Sequence, residues 1–296
     1  MIEYERKNWG IQCHFESMAS SCELLLRTTD KIRAKELARI AFNECKRIEN
    51  KYSRYLDNNL CYKMNHSSGN VVPIDKETFQ LLQYARQLFE LSQGAFDITS
   101  GVLRKIWHFD HAEYLPDKSA IENILPFIGF DKIDYNEQEF ILPENMEIDF
   151  GGIGKEYCAD RIYQLILMAT KNEPIDFLIN LGGDIIAHGV SKQSLSWQVG
   201  IESVTDLDQA DKIISLKQGA LATSGTTKRY TLANGKVLGH ILNPKTGYPV
   251  KNAPQSITIL NDNCTAAGSL ATLAMLQSEN AEQFLESQHV KHWVLR

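Results

Sequence analysis

The segment Ile148-Asp-Phe-Gly-Gly-Ile-Gly-Lys-Glu-Tyr-Cys-Ala-Asp-Arg-Ile162 passes from a short apolar run, through three glycines, into a helical pattern. Paired glycines let backbone come close to a ligand, and the N–H groups left free at the start of a helix suit phosphate oxygens. Lys155 stands where an anion would be held. Neither common phosphate loop fits, however. A P-loop needs a hydroxyl after its lysine, and Glu156 follows Lys155 here. A dinucleotide fingerprint needs its three glycines in a different frame from Gly151, Gly152 and Gly154. A plain strand-to-helix turn accounts for the segment equally well, so its role depends on what the rest of the chain brings to it.

At 296 residues, 43% hydrophobic and 23% charged, the chain has the length and composition of one large or two modest globular domains. The net charge is −6 without a run of Lys or Arg, which argues against nucleic-acid or membrane-surface partners. Glu3, Glu5, Arg6 and Lys7 lie where a signal peptide would need an apolar core. No stretch reaches the roughly 18 apolar residues of a membrane span. The six cysteines are scattered with no Cys-x-x-Cys pair, the pattern of reduced thiols in a cytoplasmic protein.

Hydrophobic spacing predicts two extended pieces across Ile11–Arg27, bent at Met18-Ala-Ser-Ser21, and a helix opened by Asp30 with Leu37, Ala41, Cys45 and Ile48 inward. A second helix is capped by Asp75 and stopped by Gly94. It delivers Gly94-Ala-Phe-Asp-Ile-Thr-Ser-Gly101, a capping turn or the polar edge of a pocket. Residues 103–145 read as aromatic-rich loops over a core. In the second half, Phe177–Leu181 and Ile185–Gly189 read as strands broken by Gly182-Gly-Asp184. Further strands are expected at 197–202, 213–216, 220–225 and 256–260. Asn234-Gly235 marks a hairpin. Thr265 is expected to cap a helix to about Leu276, and a short helix and a strand close the chain. Strands and helices do not alternate regularly, so the fold class is α+β rather than a doubly wound sheet. The chain is expected to be a single domain over 1–296, its weakest seam near 131–145.

Taken in order, Met18-Ala-Ser, Ala95-Phe-Asp, Asp149-Phe-Gly-Gly-Ile-Gly-Lys155, Asn180-Leu-Gly-Gly-Asp184, Ala222-Thr-Ser-Gly225, His240-Ile-Leu-Asn-Pro-Lys-Thr-Gly247 and Leu270-Ala-Thr272 resemble the signature blocks of the ApbE family of FAD:protein FMN transferases. The resemblance implies a two-lobed, T-fold-like α+β architecture with FAD in the inter-lobe cleft. It also implies a Mg2+-dependent reaction that places FMN on a Thr or Ser hydroxyl of an acceptor protein and releases AMP. Such phosphoryl-type transfer relies on positioning and charge neutralisation.

Carried over by motif, Met18 and Tyr55 resemble residues lining the FAD site, and Ala95, Phe96 and Asp97 the block holding the adenosine end. Asp149, Lys155 and Ile241 resemble further cofactor contacts, while His240 and Thr223 are the candidate catalytic residues. The resemblance places the metal on the carbonyls of Gly152 and Ala271 and on Thr272. One departure stands out. The family's last block resembles Ala-Asp-Ala-Leu-Ala-Thr, with Asp and Thr one helical turn apart, whereas this chain reads Ala267-Gly268-Ser269-Leu270-Ala271-Thr272. The carboxylate is missing, and Asn243 stands where Asp is more usual. Mg2+ generally takes one or two carboxylates plus substrate phosphates. The charge is then expected from Asp184, Asp149 or Asp262, or from the use of another cation. Otherwise the chain binds FAD for storage, sensing or hydrolysis with little transfer, or keeps the fold as a flavin-free scaffold. On this reading Gly268→Asp should strengthen metal binding.

Overall fold

Phe177, Ile179 and Leu181 turn to one side of their strand and Leu178 to the other, because successive strand side chains point to opposite faces. All four are buried, in two separate cores. The strand is therefore covered on both faces, which explains its unbroken apolar run. The structure, a computed structural model, describes residues 1–204, 206, 209–233 and 235–296. The first half contains β1 (Glu3–Lys7), β2 (Gly10–Ser17), β3 (Ser20–Leu26), α1 (Lys31–Tyr52), α2 (Leu60–Asn65), β4 (Val71–Pro73), α3 (Lys76–Leu91), α4 (Lys118–Ile124), β5 (Asp134–Tyr135) and β6 (Glu139–Ile141). There follow α5 (Gly154–Ala169), β7 (Phe177–Leu181), β8 (Asp184–His188), β9 (Trp197–Glu202), β10 (Ala210–Leu216) and β11 (Gly219–Gly225). The chain closes with β12 (Tyr230–Ala233), β13 (Lys236–Gly239), β14 (Ser256–Asn261), α6 (Cys264–Leu276), α7 (Ala281–Ser287) and β15 (Lys291–Leu295).

An eight-stranded sheet ordered β1-β2-β3-β7-β8-β11-β14-β15 is antiparallel at every pairing. On one face α1 and α5 bury Leu37, Cys45, Ile162 and Ile166 against Leu24, Phe177 and Ile179. On the same terms α6 packs Ala267, Ala271 and Met275 against Ile257 and Ile259. The opposite face is covered by the β9–β10 hairpin, whose Trp197, Val199 and Leu216 meet Leu178, Ala187 and Leu221. Each such large apolar side chain contributes about 1.5–3 kcal/mol by leaving water. Helices segregated on one face of an antiparallel sheet make an α+β fold, as expected. Among the described residues, no helix is long and apolar enough to cross a membrane.

The helix starts follow local chemistry. Asp30 accepts the N–H groups of Ile32 and Arg33 at 2.8 and 3.1 Å, and Asp75 that of Thr78 at 3.0 Å, satisfying donors the first turn leaves free. Two expectations change, and one segment with no structural reading is filled in. Residues 131–145 are not loop throughout, since β5 and β6 join β4 in a small sheet with Phe140 fully buried; strands of two or three residues are too short to show a period. The charged start Glu3–Lys7 is an edge strand, where solvent-facing charge is the rule. Asn263, not Thr265, caps α6 by accepting from Ala266, while the Thr265 hydroxyl donates to Asp160 at 2.5 Å. The strands flanking the expected hairpin pair as read, with Ala233 opposite Lys236; Asn234 itself lies outside the described residues.

Candidate functional site

A cleft of about 1230 Å³ opens where the β2–β3 turn, the end of α1 and residues 95–104 meet the turn before α5, the β7–β8 turn, β11 and α6. Small-molecule pockets usually hold about 300–1,000 Å³, so this one is large enough for a dinucleotide. Met18 sits in a two-residue turn with φ of 51° at Met18 and 53° at Ala19, the left-handed pair that suits a tight hairpin. Glu49 of α1 fixes this turn, accepting the Met18 N–H and the Ser17 hydroxyl, both at 2.9 Å. Tyr55 is 72% exposed at the mouth, where Arg104 donates to its hydroxyl at 3.3 Å.

Ala95, Phe96 and Asp97 line the cleft wall. The Asp97 carboxylate is nonetheless engaged by the fold. It accepts from the Thr99 N–H (2.8 Å), the Thr99 hydroxyl (2.6 Å) and the Phe130 N–H (3.1 Å), capping a short 3-10 helix. Asp149 accepts the Gly151 N–H at 2.8 Å and faces Arg54 at 3.5 Å and Arg104 at 3.8 Å. Gly152 packs so closely that a Cβ there would lie 3.2 Å from the Phe96 ring. No side chain caps α5, and its first turn opens into the cleft at Gly154 and Lys155. The Gly154 N–H is already bonded to the Phe150 carbonyl at 2.8 Å, so what the turn offers an anion is the N–H groups after it and the positive end of the helix dipole.

On the far wall Thr223 shares a hydrogen bond with Thr258 at 2.8 Å, and Thr272 shares one with Ser224 at 2.9 Å. Ile241 and His240 complete the lining. The Nδ1 of His240 lies 3.2 Å from the Arg229 carbonyl. A carbonyl only accepts, so that nitrogen carries the proton and Nε2 presents a lone pair. Burial, aided by Arg104, Arg229 and Lys155, pushes the His240 pKa down to about 4, which keeps the ring neutral at pH 7. Ala271 is the exception among the sequence-derived site residues. It is fully buried in the α6 core, away from the cleft lining, and its position inside the helix commits its carbonyl to the backbone ladder.

The most unusual feature joins two residues singled out from sequence, Lys155 and Asp184, to one that was not, Glu156. Asp184, 2% exposed, accepts from Lys155 Nζ at 2.9 Å, and beside them lies Glu156, 8% exposed, whose Oε2 is buried without a hydrogen-bond partner. Burial, reinforced by the charge of Asp184, raises the Glu156 pKa well above the carboxylate range. Burial raises that of Asp184 as well, against the pull of Lys155. Burial alone would lower Lys155, but Asp184 and Glu156 outweigh it and raise its pKa. A Cβ on Gly268 would lie 2.5 Å from Glu156 Cγ and 2.8 Å from its Oε1. An Asp at 268 would have to displace the Glu156 side chain, which already fills that space.

An all-oxygen donor set suits a hard cation such as Mg2+. The Gly152 carbonyl, the Thr272 hydroxyl and the carboxylates of Glu156 and Asp184 border one cleft, and the unpartnered Glu156 Oε2 shows a donor left open. Among the described residues no group of three or more His, Cys, Asp or Glu is spaced to hold an ion, so substrate oxygens would have to complete the shell. Sequence reasoning also passed over Arg54, Arg104 and Ser224. Glu156 is buried in α5 along with Cys158, Ala159 and Ile162, and as a charged residue in the first turn it gave no sequence signal of that burial.

The family model described as "ApbE family" matches residues 18–294. The FAD:protein FMN transferase of Klebsiella pneumoniae is 29% identical over 204 residues, covering 67% of this chain and 62% of that protein. The match to the one from Haemophilus influenzae is 26% identical, over 79% of this chain and 70% of the relative. This chain thus spans somewhat under two thirds of the Klebsiella relative. The crystal structure of the Thermotoga maritima ApbE protein superposes with a TM-score of 0.86 at 26% identity, covering 99% of this chain and 94% of that one. The apo flavinyl transferase ApbE of Pseudomonas stutzeri gives 0.83 at 20% identity, over 100% and 92% of the two chains, and likewise shares the fold. With a family match running from the Met18 turn to the last strand, the chain belongs to the ApbE family.

Proposed function

We propose that the chain is an FAD:protein FMN transferase, binding FAD in this cleft and passing FMN to a Ser or Thr hydroxyl of an acceptor protein with release of AMP. In that reaction the hydroxyl oxygen forms a bond to the FMN phosphorus, the bridging P–O bond to AMP breaks, and the hydroxyl proton passes to a base. The observation that carries the reading is the convergence on one cleft of blocks scattered from Met18 to Thr272, beside a helix start with no side-chain cap. The names of the Klebsiella and Haemophilus relatives support it.

The chain's own groups divide the work. The open first turn of α5 and the guanidinium groups of Arg54 and Arg104 receive phosphate charge. Met18, Phe96 and Ile241 give apolar surface to the rings, with Tyr55 at the mouth. His240, neutral with Nε2 free, is placed to take the hydroxyl proton, and Thr223 stands on the same wall. A Mg2+ held by the Gly152 carbonyl, Thr272 and the buried carboxylates would neutralise charge at the pyrophosphate. Binding without transfer was suggested by the bare Gly268, and the Glu156 carboxylate in the space above it supports the transferase reading instead.

Calorimetric titration of FAD into the flavin-free chain, followed by chromatography for AMP after Mg2+ and a Ser- or Thr-bearing acceptor are added, tests the proposal. FAD uptake followed by acceptor-dependent AMP release is expected. Tight uptake with no AMP under any condition would leave a binding protein instead.

A further inference from the structure

We propose that Glu156 is the principal carboxylate for the divalent cation, delivered from α5 into the space above Gly268, where an aspartate on α6 would otherwise project. The proposal rests on the transferase reading for the identity of the substrate, but its geometry stands on this chain alone.

Three observations carry it. The Glu156 side chain lies directly over Gly268, with Cγ, Oε1 and Cδ at 2.5, 2.8 and 3.0 Å from where a Cβ would be. A side chain at 268 would have to displace that of Glu156, so in this chain the space is taken from α5 and not from α6. Next, Glu156 Oε2 is buried on the cleft wall with no hydrogen-bond donor. Buried carboxylate oxygens are ordinarily satisfied, and an unpaired one on a residue that lines a cleft marks a place for a ligand that accepts electron pairs. Its neighbours are already engaged: Asp184 by Lys155 at 2.9 Å, and Asp160 by the N–H groups of Cys264 and Thr265 and the Thr265 hydroxyl.

Charge and position agree with this assignment. Lys155 is already paired with Asp184 at 2.9 Å, and burial disfavours the charged form of Glu156, so a cation bound at Glu156 would be what holds its carboxylate ionised. Thr272 lies four residues after Gly268 on α6, one turn along the same face, and lines the same cleft. Glu156 and Thr272 therefore approach from two helices, with Asp184 at the start of β8 beside them. A pair of carboxylates and a hydroxyl, completed by backbone and substrate oxygens, is a shell typical of Mg2+.

Mn2+ serves as the probe, with the free ion followed by electron paramagnetic resonance as it is titrated into the full chain with FAD present. The wild type, Glu156→Gln and the exchanged pair Glu156→Gly with Gly268→Asp are compared after circular dichroism shows that each is folded. The expected result is one Mn2+ per wild-type chain, at least tenfold weaker binding for Glu156→Gln, and recovery to within about threefold of wild type in the exchanged pair. Wild-type affinity in Glu156→Gln, or no Mn2+ uptake by the wild type, overturns the assignment. FAD affinity measured in parallel in EDTA separates the two readings. Loss of FAD uptake by the wild type counts against the transferase, whereas weakened Mn2+ binding in Glu156→Gln with FAD affinity unchanged supports the role of Glu156.

Discussion

Gly268→Ala should destabilise this protein, although glycine to alanine inside a helix ordinarily stabilises. Replacing glycine in a helix interior gains about 1 kcal/mol in helix propensity. At position 268 the new methyl would lie 2.5 Å from Glu156 Cγ, an atom near the root of a side chain that is only 8% exposed and has little room to move. Forcing an extra methyl into a packed site costs about 1–3 kcal/mol, so after the propensity gain of about 1 kcal/mol the net loss is about 0–2 kcal/mol, centred near 1. At about 2–4 °C per kcal/mol for chains of 150–250 residues, and toward the lower figure at 296 residues, Tm should fall by about 2 °C. In a Glu156→Ala background the obstructing atoms are gone. The same substitution at 268 should then raise stability by about 1 kcal/mol through propensity alone. Scanning calorimetry in EDTA, with urea titration as a check, reads the sign in each background. Stabilisation by Gly268→Ala in both would refute the overlap and, with it, the placement of Glu156.

Lys155→Ala removes the partner of Asp184 and should cost on the order of 2 kcal/mol, below the 3–5 kcal/mol of a fully buried pair because Lys155 is one third exposed; FAD affinity should fall as well, and a Tm and a titration curve both unchanged would contradict this. Burial alone would raise the pKa of Glu77, but hydrogen bonds from Arg47, Lys51 and Tyr157 hold it well below the carboxylate range. Its unfolded form therefore binds a proton first, and its stabilisation, full above about pH 4.5, declines as pH falls toward the folded pKa. Acid titration of Glu77→Gln should show a shallower loss of stability below pH 4.5 than wild type, and parallel curves would refute the cluster's role. For His240 the unfolded ring takes a proton near pH 6.5 and the folded ring near 4, so this group removes stability as pH falls from about 6.5 to 4. NMR should find its ring neutral from pH 5 to 8, and a midpoint near 6.5 would place His240 in solvent.

What the sequence reveals of the site depends on the range of the interaction. The blocks at Met18, Asn180–Asp184 and Asp149–Lys155 were legible because each needs a particular local backbone. Gly182 and Gly183 take φ of 65° and 102°, a region that favours glycine. The Asp30 and Asp75 caps were legible for the same reason, being contacts between neighbours in sequence. The residues around Asp97 favoured a cap over a pocket edge, and its carboxylate does cap while the residue also lines the cleft. Thr265 misled because a hydroxyl near a helix start resembles a cap, whereas its true partner is Asp160 on α5.

The relation between Glu156 and Gly268 was illegible for a different reason. The two residues are 112 positions apart (268 − 156) on different helices, and neither is unusual until they are brought together. Read alone, Gly268 is a missing carboxylate and Glu156 a helix residue that spoils a P-loop. Packed together, they are one carboxylate entering from the other side. Arg54 and Arg104 escaped notice similarly, since only the fold aims them at Asp149.

Intact-mass spectrometry of a Ser- or Thr-bearing acceptor protein, after incubation with the full chain, FAD and Mg2+, tests the proposed activity most directly. The account predicts an acceptor heavier by one FMN, with AMP released in equal amount and the adduct lost when the modified hydroxyl residue is changed to Ala. FAD bound to the chain, with acceptor masses unchanged and no AMP formed, would contradict it.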